Sequence, residues 1–393
     1  MADKKPRQQK RSSMDSLLLV TLLALLAFGL IMLYSATFYV GMDFWQHQLI
    51  WVVVGGVAMV VTIVVPYTLW KRFASPVMGI TLLLLLLVLF LGDPKLGAYR
   101  SLEIFGVSVQ PGVLARLTAV IYMSAWLASK GEQLHQVRYG LVPFAVIMGI
   151  VAGLVALQPD LSIALLLVVT GMAMFFFAGG DPIQIFSFIL LGGMTFGLLA
   201  WQLPHARQRL LDYVASLKDP TVMPYHVRQA TTAIGSGGIF GRGVGNGWLK
   251  AGYLPLSHTD SIFAVIGEEV GLLGTLLVLA LFVLLAYRGY TISLEAGDPF
   301  GSLLAFGLTT MIIAQALLNV TVMVGLVPFS GTALPFFSYG GSEMVVTLAA
   351  SGLLLNVSRG KPRGDANATL DRWWRDWWTR LSRARRRRSV AGR

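Results

Sequence analysis

Ten apolar stretches alternate with short polar breaks along the chain. A window of about 20 residues, the length of helix that crosses a bilayer core, places them at 15–35, 46–66, 76–92, 111–129, 139–157, 161–179, 182–203, 261–288, 300–323 and 342–358. This pattern predicts an all-α polytopic membrane protein with about ten transmembrane helices. One long interruption, 204–260, separates the seventh span from the eighth. It starts polar over Arg207–Pro224, which suits a surface helix. It ends dense in glycine, which suits backbone that turns sharply or comes close to a ligand.

Charge orients the spans. Lys71 and Arg72 follow the second, Lys130 and Arg138 the fourth, and Arg288 the eighth, while the loops after spans one, five and nine carry no Lys or Arg. The positive-inside rule then puts both termini in the cytoplasm and 204–260 outside it. Lys95 and Arg100 fall on the outer side, either as tolerated exceptions or as a functional basic pair. Three regions follow: a basic tail over 1–14, a membrane body over 15–359 and a basic tail over 360–393. In the last, Leu370, Trp373, Trp374, Trp377, Trp378 and Leu381 share one helical stripe. That stripe predicts an interfacial helix on the inner leaflet; a disordered basic tail is the alternative.

Composition agrees. Hydrophobic residues make up 55% of the chain and charged residues 13%, with a mean hydropathy of +0.70. Soluble domains carry about 25% charged residues. The net charge of +12 resides in the two tails, which suits contact with anionic inner-leaflet lipid. Nothing beyond charge points to nucleic acid, so none is expected as a partner. The chain has no cysteine, which excludes disulfides and thiolate chemistry. Leu17–Leu33 is longer than the apolar core of a secretory signal, about 7–15 residues, and is read as a retained first span. No long internal repeat is evident, which weakens a transporter reading based on inverted repeats.

Acids inside apolar runs are costly and call for a partner, a wet cavity or a reaction. Glu268 and Glu269 lie within span eight. Consecutive helical positions diverge by about 100°, so the two cannot face one cavity equally, and one is expected to pair with another span. Gly267 and Gly271 form a GxxxG step for close helix approach. Asp160, in Gln158-Pro159-Asp160, reads as the N-cap of span six, a role compatible with a site at the outer surface. His258-Thr259-Asp260 reads either as a cap of span eight or as a catalytic element. The run 235–247, GSGGIFGRGVGNG, has no GxxxxGK[ST] and no strand–turn–helix context, so it is not a nucleotide loop; close packing and ligand contact remain open. The run Leu334–Ser342 opens span ten with small residues suited to an anion, although Glu343 opposes one.

Taken together, these residues resemble the SEDS family (shape, elongation, division and sporulation). The resemblance spans about 15–359. It rests on AIGSGGIFGRGVGNGWLKAGYLPLSHTDSIFAVIGEEVGLLG, on NVTVMVGLVPFSGTALPFFSYGGS, on LLLNVSR, and on LQPD at 157–160 and QPG at 110–112. It leans to the family's cell-division branch more than to its elongation branch. It implies a ten-span glycosyltransferase of the bacterial cytoplasmic membrane that polymerises lipid II into peptidoglycan strands on the outer face. The implied partners are a class B penicillin-binding protein and other division or elongation membrane proteins. The family's HTD aspartate matches Asp260, its QPD aspartate Asp160, and its outer basic residues Arg100 and Arg116. The chain departs from the family at Leu256, Val113, Glu343 and Ser261.

The resemblance and the residues give one mechanistic expectation. Asp260 takes the proton of the acceptor's 4-hydroxyl as that oxygen attacks the donor anomeric carbon. Arg100, Arg116, Arg242 and Lys250 are candidates for the diphosphate, and His258 and Asp160 for sugar or diphosphate contact. No covalently bound cofactor is expected; a divalent cation such as Mg or Mn suits a diphosphate leaving group, but no ligand set is readable. The competing readings are a lipid II flippase and a non-catalytic scaffold for the crosslinking enzyme.

Overall fold

A computed structural model describes residues 14–92, 94–95, 98–99, 101–104 and 107–360. The Trp/Arg stripe beyond 369 and Arg100 lie outside the described residues. All ten apolar stretches are helical. They form α1 (Ser16–Thr37), α2 (Met42–Val64), α3 (Tyr67–Leu91), α4 (Pro111–Lys130), α5 (Leu141–Leu157), α6 (Leu161–Phe177), α7 (Pro182–Gln202), α10 (Ile262–Glu295), α11 (Pro299–Met323) and α12 (Gly341–Arg359). The long interruption adds α8 (Pro204–Lys218) and α9 (Tyr225–Ser236). Two short antiparallel hairpins between α3 and α4 pair Pro94–Lys95 with Ala98–Tyr99 and Leu102–Ile104 with Val107–Val109.

Burial ranks the helices. Over its most apolar stretch α12 is 78% buried and α11 67%, against 17% for α2 and 11% for α7. The centre of the bundle is therefore α11 and α12 with α4, and α7 is a peripheral helix. In a membrane the exposed apolar faces meet lipid, so their exposure is no defect.

The two ends of the bundle are distinct. At one end the Asp15 amide donates to Ser358 Oγ at 3.2 Å, Arg288 pairs with Asp15, and the Tyr67 hydroxyl donates to Asp298 at 2.5 Å. Asn356 closes the end of α2 by donating to the carbonyls of Thr62, Ile63 and Val65. The first and last spans thus end together, as an even number of crossings requires. The opposite end carries Asp160, the 225–261 region and the 330–340 loop.

The segment 204–260 is more than a loop above the bundle. The expected surface helix is there as α8. The next helix, α9, runs alongside α10: His226 meets Ser261 at the start of α10, while Ile234 and Gly237 meet Gly267 and Glu268 further down. Seven residues of helix are about 10 Å, so the chain descends beside α10 by that distance, turns at 238–243 and climbs back to Asp260. Part of the segment is re-entrant. Its hydropathy hides this, because the descent is held by backbone hydrogen bonds rather than by an apolar run.

Candidate active site

The re-entrant turn is inserted into a broken helix. Gly271 has φ 71 and ψ −161 inside α10, a conformation open to glycine alone. An unbroken helix would pair the amides of 272 and 273 with the carbonyls of 268 and 269. Here the glycine-rich turn takes both sides. Arg242 and Gly243 donate their amides to Glu268 and Glu269 at 3.1 and 2.9 Å, and Leu272 and Leu273 donate to Gly238 and Ile239 at 2.9 and 3.2 Å. Four of the backbone groups freed by the break are thereby satisfied, as membrane depth demands. A β-carbon on Gly241 would lie 2.2 Å from the Glu269 carbonyl, and one on Gly271 would lie 2.3 Å from the Gly241 nitrogen. Gly237, Gly241 and Gly247 therefore serve close packing, whereas Gly238 and Gly245 have open space and serve the turn through their positive φ. The expected GxxxG pair divides its work: Gly267 receives α9, and Gly271 is the break.

The two acids of span eight hold the returning strand. Glu268 Oε1 accepts the amides of Trp248 and Leu249 at 3.0 and 3.2 Å. Glu269 accepts from the Gly245 amide, from Ser35 Oγ on α1 at 2.6 Å, and from the Lys250 ammonium. Lys250 also donates to Ser35 at 2.6 Å, and neither Lys250 nor Glu269 exposes any side-chain surface. Lys250, expected among the diphosphate contacts, is committed to this ion pair. Arg242 is exposed and lies 5.4 Å from the Trp248 ring centroid.

The return strand ends in the Asp260 loop, which is clamped from α11 and from the 330–340 loop. Three successive carbonyls are held: His258 O by the Tyr339 amide at 2.8 Å, Thr259 O by Ser338 Oγ at 2.6 Å, and Asp260 O by Asn319 Nδ2 at 2.8 Å. Leu256, at φ 49, starts the turn and accepts from Thr259 and Ser261. The residue at the cap position of α10 is Ser261, whose side chain makes no cap bond; Asp260 stands one position before it. Asp260 is partly buried, and a β-carbon on Gly331 would lie 3.3 Å from its Oδ2. His258 leans on the Phe44 ring, 4.6 Å between centroids, and its Nδ1 is buried with no partner. Burial holds its pKa below the ordinary histidine value, so the ring is neutral at pH 7.

Small residues opening α12 thus clamp a loop. The Tyr339 amide serves His258, and the Gly340 amide donates to Gln48 at 3.1 Å, which leaves neither for an anion. Glu343 is the acid partner of Arg116. The Arg116 guanidinium is buried on α4, reaches both Glu343 oxygens at 2.6 Å, and also donates to Gln315. Gln315 donates to Glu343 and to the Ala333 carbonyl, both at 2.8 Å. Asp160 caps α6, accepting from the Ile163 amide at 3.1 Å. Two residues on, Ser162 donates to the Ser330 carbonyl at 2.5 Å, so the start of α6 abuts the loop that faces Asp260.

Gln315 and His226 were not picked out by the sequence, and Asn319 and Ser338 stood only within longer runs, with no role of their own. Gln315 and Asn319 had a signal: two amides one helical turn apart inside an apolar span, where polar side chains find polar partners. Among the described residues no three His, Asp or Glu side chains converge, so these residues alone offer no cage for a divalent ion. Mg also binds through one or two carboxylates together with substrate phosphates, and Asp260 and Asp160 are the acids at this end that suit that mode.

The family model named for FtsW, RodA and SpoVE, described as cell cycle protein, matches residues 15–362. The chain belongs to this family. The probable peptidoglycan glycosyltransferase FtsW of Geobacter metallireducens is 38% identical over 353 residues, covering 88% of this chain and 94% of that protein. The stage V sporulation protein E of Bacillus subtilis is 35% identical over 359 residues, covering 89% and 98%. Among solved structures, a chain from a peptidoglycan synthase complex that coordinates polymerization and crosslinking aligns with a TM-score of 0.74 at 27% identity, covering 88% and 98%. The rod shape determining protein RodA of Thermus thermophilus aligns with a TM-score of 0.68 at 27% identity, covering 90% and 99%. Family membership agrees with the resemblance read from the HTD, QPD and PFFSYGGS runs.

Proposed function

We propose that this chain is an FtsW-like peptidoglycan glycosyltransferase that polymerises lipid II, with Asp260 as its general base. The observation that carries the reading is the mounting of Asp260. The loop that carries it is pinned at three successive carbonyls, while Asp260 keeps part of its surface open. A base needs this combination of fixed position and open access. The names of the FtsW relatives support the reaction class.

In the reaction the acceptor's 4-hydroxyl oxygen attacks the donor anomeric carbon. Its proton passes to Asp260, and the bond from that carbon to undecaprenyl diphosphate breaks. The leaving diphosphate needs cationic help. Arg242, exposed at the re-entrant turn, and Arg100 remain candidates for it. Arg116 and Lys250 are engaged with Glu343 and Glu269 and act through structure. The neutral His258 ring, beside Asp260 in the same loop, remains a candidate for sugar contact. A divalent cation, where bound, would neutralise diphosphate charge. The partner is a class B penicillin-binding protein, a reading supported by the similarity to a chain from a synthase complex. The site faces outward from the bacterial cytoplasmic membrane, with both termini inside.

Two measurements test this. A Ser216→Cys variant of this cysteine-free chain should react with an impermeant thiol reagent from outside whole cells. The purified chain with its partner should convert lipid II to polymer. Labelling only from the cytoplasmic side would overturn the topology, and movement of lipid II across vesicles without polymer would replace the reading by a flippase.

A further inference from the structure

The Asp260 loop has one more support, from α9. His226 Nε2 lies 2.7 Å from Ser261 Oγ, and Ser261 Oγ donates to the Pro255 carbonyl at 2.9 Å. Ser261 has a single hydroxyl hydrogen, and Pro255 takes it. The Ser261 oxygen must therefore accept from His226, which fixes the proton of the neutral ring on Nε2. The chain His226–Ser261–Pro255 ties both ends of the loop 255–261 to α9. Between those ends stand the left-handed Leu256 and Asp260.

The ring is set by its other neighbours. It packs on Phe329 at 4.2 Å between centroids, and the Arg209 guanidinium lies 5.3 Å from that same ring. His226, Arg209, Asp212 and Tyr213 line a cavity of about 90 Å³ on this flank. Ser261 itself is fully buried. A buried hydroxyl without its donor would cut the loop's tie to α9, leaving the clamps from α11 and the 330–340 loop to hold it alone beside a strained turn.

We propose that His226 is a positioning residue for the reaction, acting on Asp260 through Ser261 without touching substrate. This rests on the reading of Asp260 as the base. A small displacement of a base is enough to slow proton transfer while leaving substrate affinity intact.

The test measures lipid II polymerisation by the purified chain with its partner, as kcat and KM, alongside thermal unfolding in detergent. His226→Phe keeps the ring on Phe329 and removes the donor. It should lower kcat by roughly 10-fold, with KM within about 2-fold. His226→Gln, whose amide nitrogen reaches the place of Nε2 and cannot titrate, should recover to within about 3-fold of the parent. Ser261→Ala should match His226→Phe, and the double variant should be no slower than either single one. Full kcat in a folded His226→Phe variant overturns the proposal. So do equal losses in the Phe and Gln variants, or additive losses in the double variant. If His226→Phe fails to fold, Ser261→Ala decides: normal kcat there sinks the idea. Failure of the base reading shows elsewhere, as an active Asp260→Asn variant.

Discussion

Lys250 and Glu269 form an ion pair from which solvent is excluded on both sides. They are nineteen positions apart, and Ser35 of α1 completes the cluster by bonding to both. The pair fastens the returning strand, and hence the Asp260 loop, to the broken helix and the first span. Removing one partner leaves an uncompensated buried charge, a loss of about 3–5 kcal/mol. Lys250→Met alone, or Glu269→Gln alone, should therefore unfold far below the parent in detergent melts. Lys250→Met with Glu269→Met should recover a large part, because apolar replacement of both partners removes the desolvation cost. A Lys250→Met variant with parent stability but lost polymerisation would return Lys250 to the diphosphate site.

The inserted turn makes a second, sharper demand. Gly271→Ala places a β-carbon 2.3 Å from the Gly241 nitrogen at a φ that only glycine adopts freely. It should cost more than the roughly 1–3 kcal/mol of strain alone, seen as poor yield or a large fall in melting temperature. Gly235→Ala, on α9 with nothing within 4 Å of the new carbon, should be neutral or slightly stabilising. Equal behaviour of the two variants would contradict the insertion.

Asp160 is separable into cap and chemistry. Its carboxylate caps α6, and Asn caps about as well as Asp. Asp160→Asn should keep stability, while Asp160→Ala should cost about 0.5–2 kcal/mol. Loss of polymerisation in a fully stable Asp160→Asn variant would assign the carboxylate a part in the reaction beyond its cap.

The His226 environment has a signature in pH. Burial first, and the Arg209 charge second, lower its pKa from 6.5 to about 4. Below pH 6.5 the unfolded chain binds a proton that the folded chain refuses. Stability from this group is therefore complete above about pH 6.5 and falls as pH drops towards 4. Melts of the parent and of His226→Gln at pH 7 and pH 5 measure it: the variant should lose less stability on acidification. A parent slope unchanged by the substitution would show that His226 already titrates normally.

The spans were legible because membrane helices announce themselves by composition, and Asp160 because capping is local. The Asp15–Ser358 and Tyr67–Asp298 bonds were not, since nothing in sequence spacing pairs residues 343 and 231 positions apart. The re-entrant path of 225–260 was hidden for a different reason. Its depth is set by four backbone bonds to the break at Gly271, and backbone groups leave no mark in the sequence beyond the glycines that admit them. The engagement of Lys250 with Glu269 was hidden because a basic residue in a polar stretch looks available until its partner is seen. Glu343, at odds with the family pattern, is explained once Arg116 stands opposite it.

The account turns on the Asp260 carboxylate, and one substitution isolates it. Asp260→Asn preserves size and leaves the backbone clamps from Asn319, Ser338 and Tyr339 in place, so the protein should fold and hold its partner. It removes the proton acceptor. Polymer length and initial rate are read from gels of lipid II incubated with equal amounts of parent and variant, each bound to its partner. The account predicts a fall of at least about 10²-fold in rate, the lower end of what a general base contributes. Polymer at near the parent rate from Asp260→Asn would contradict it.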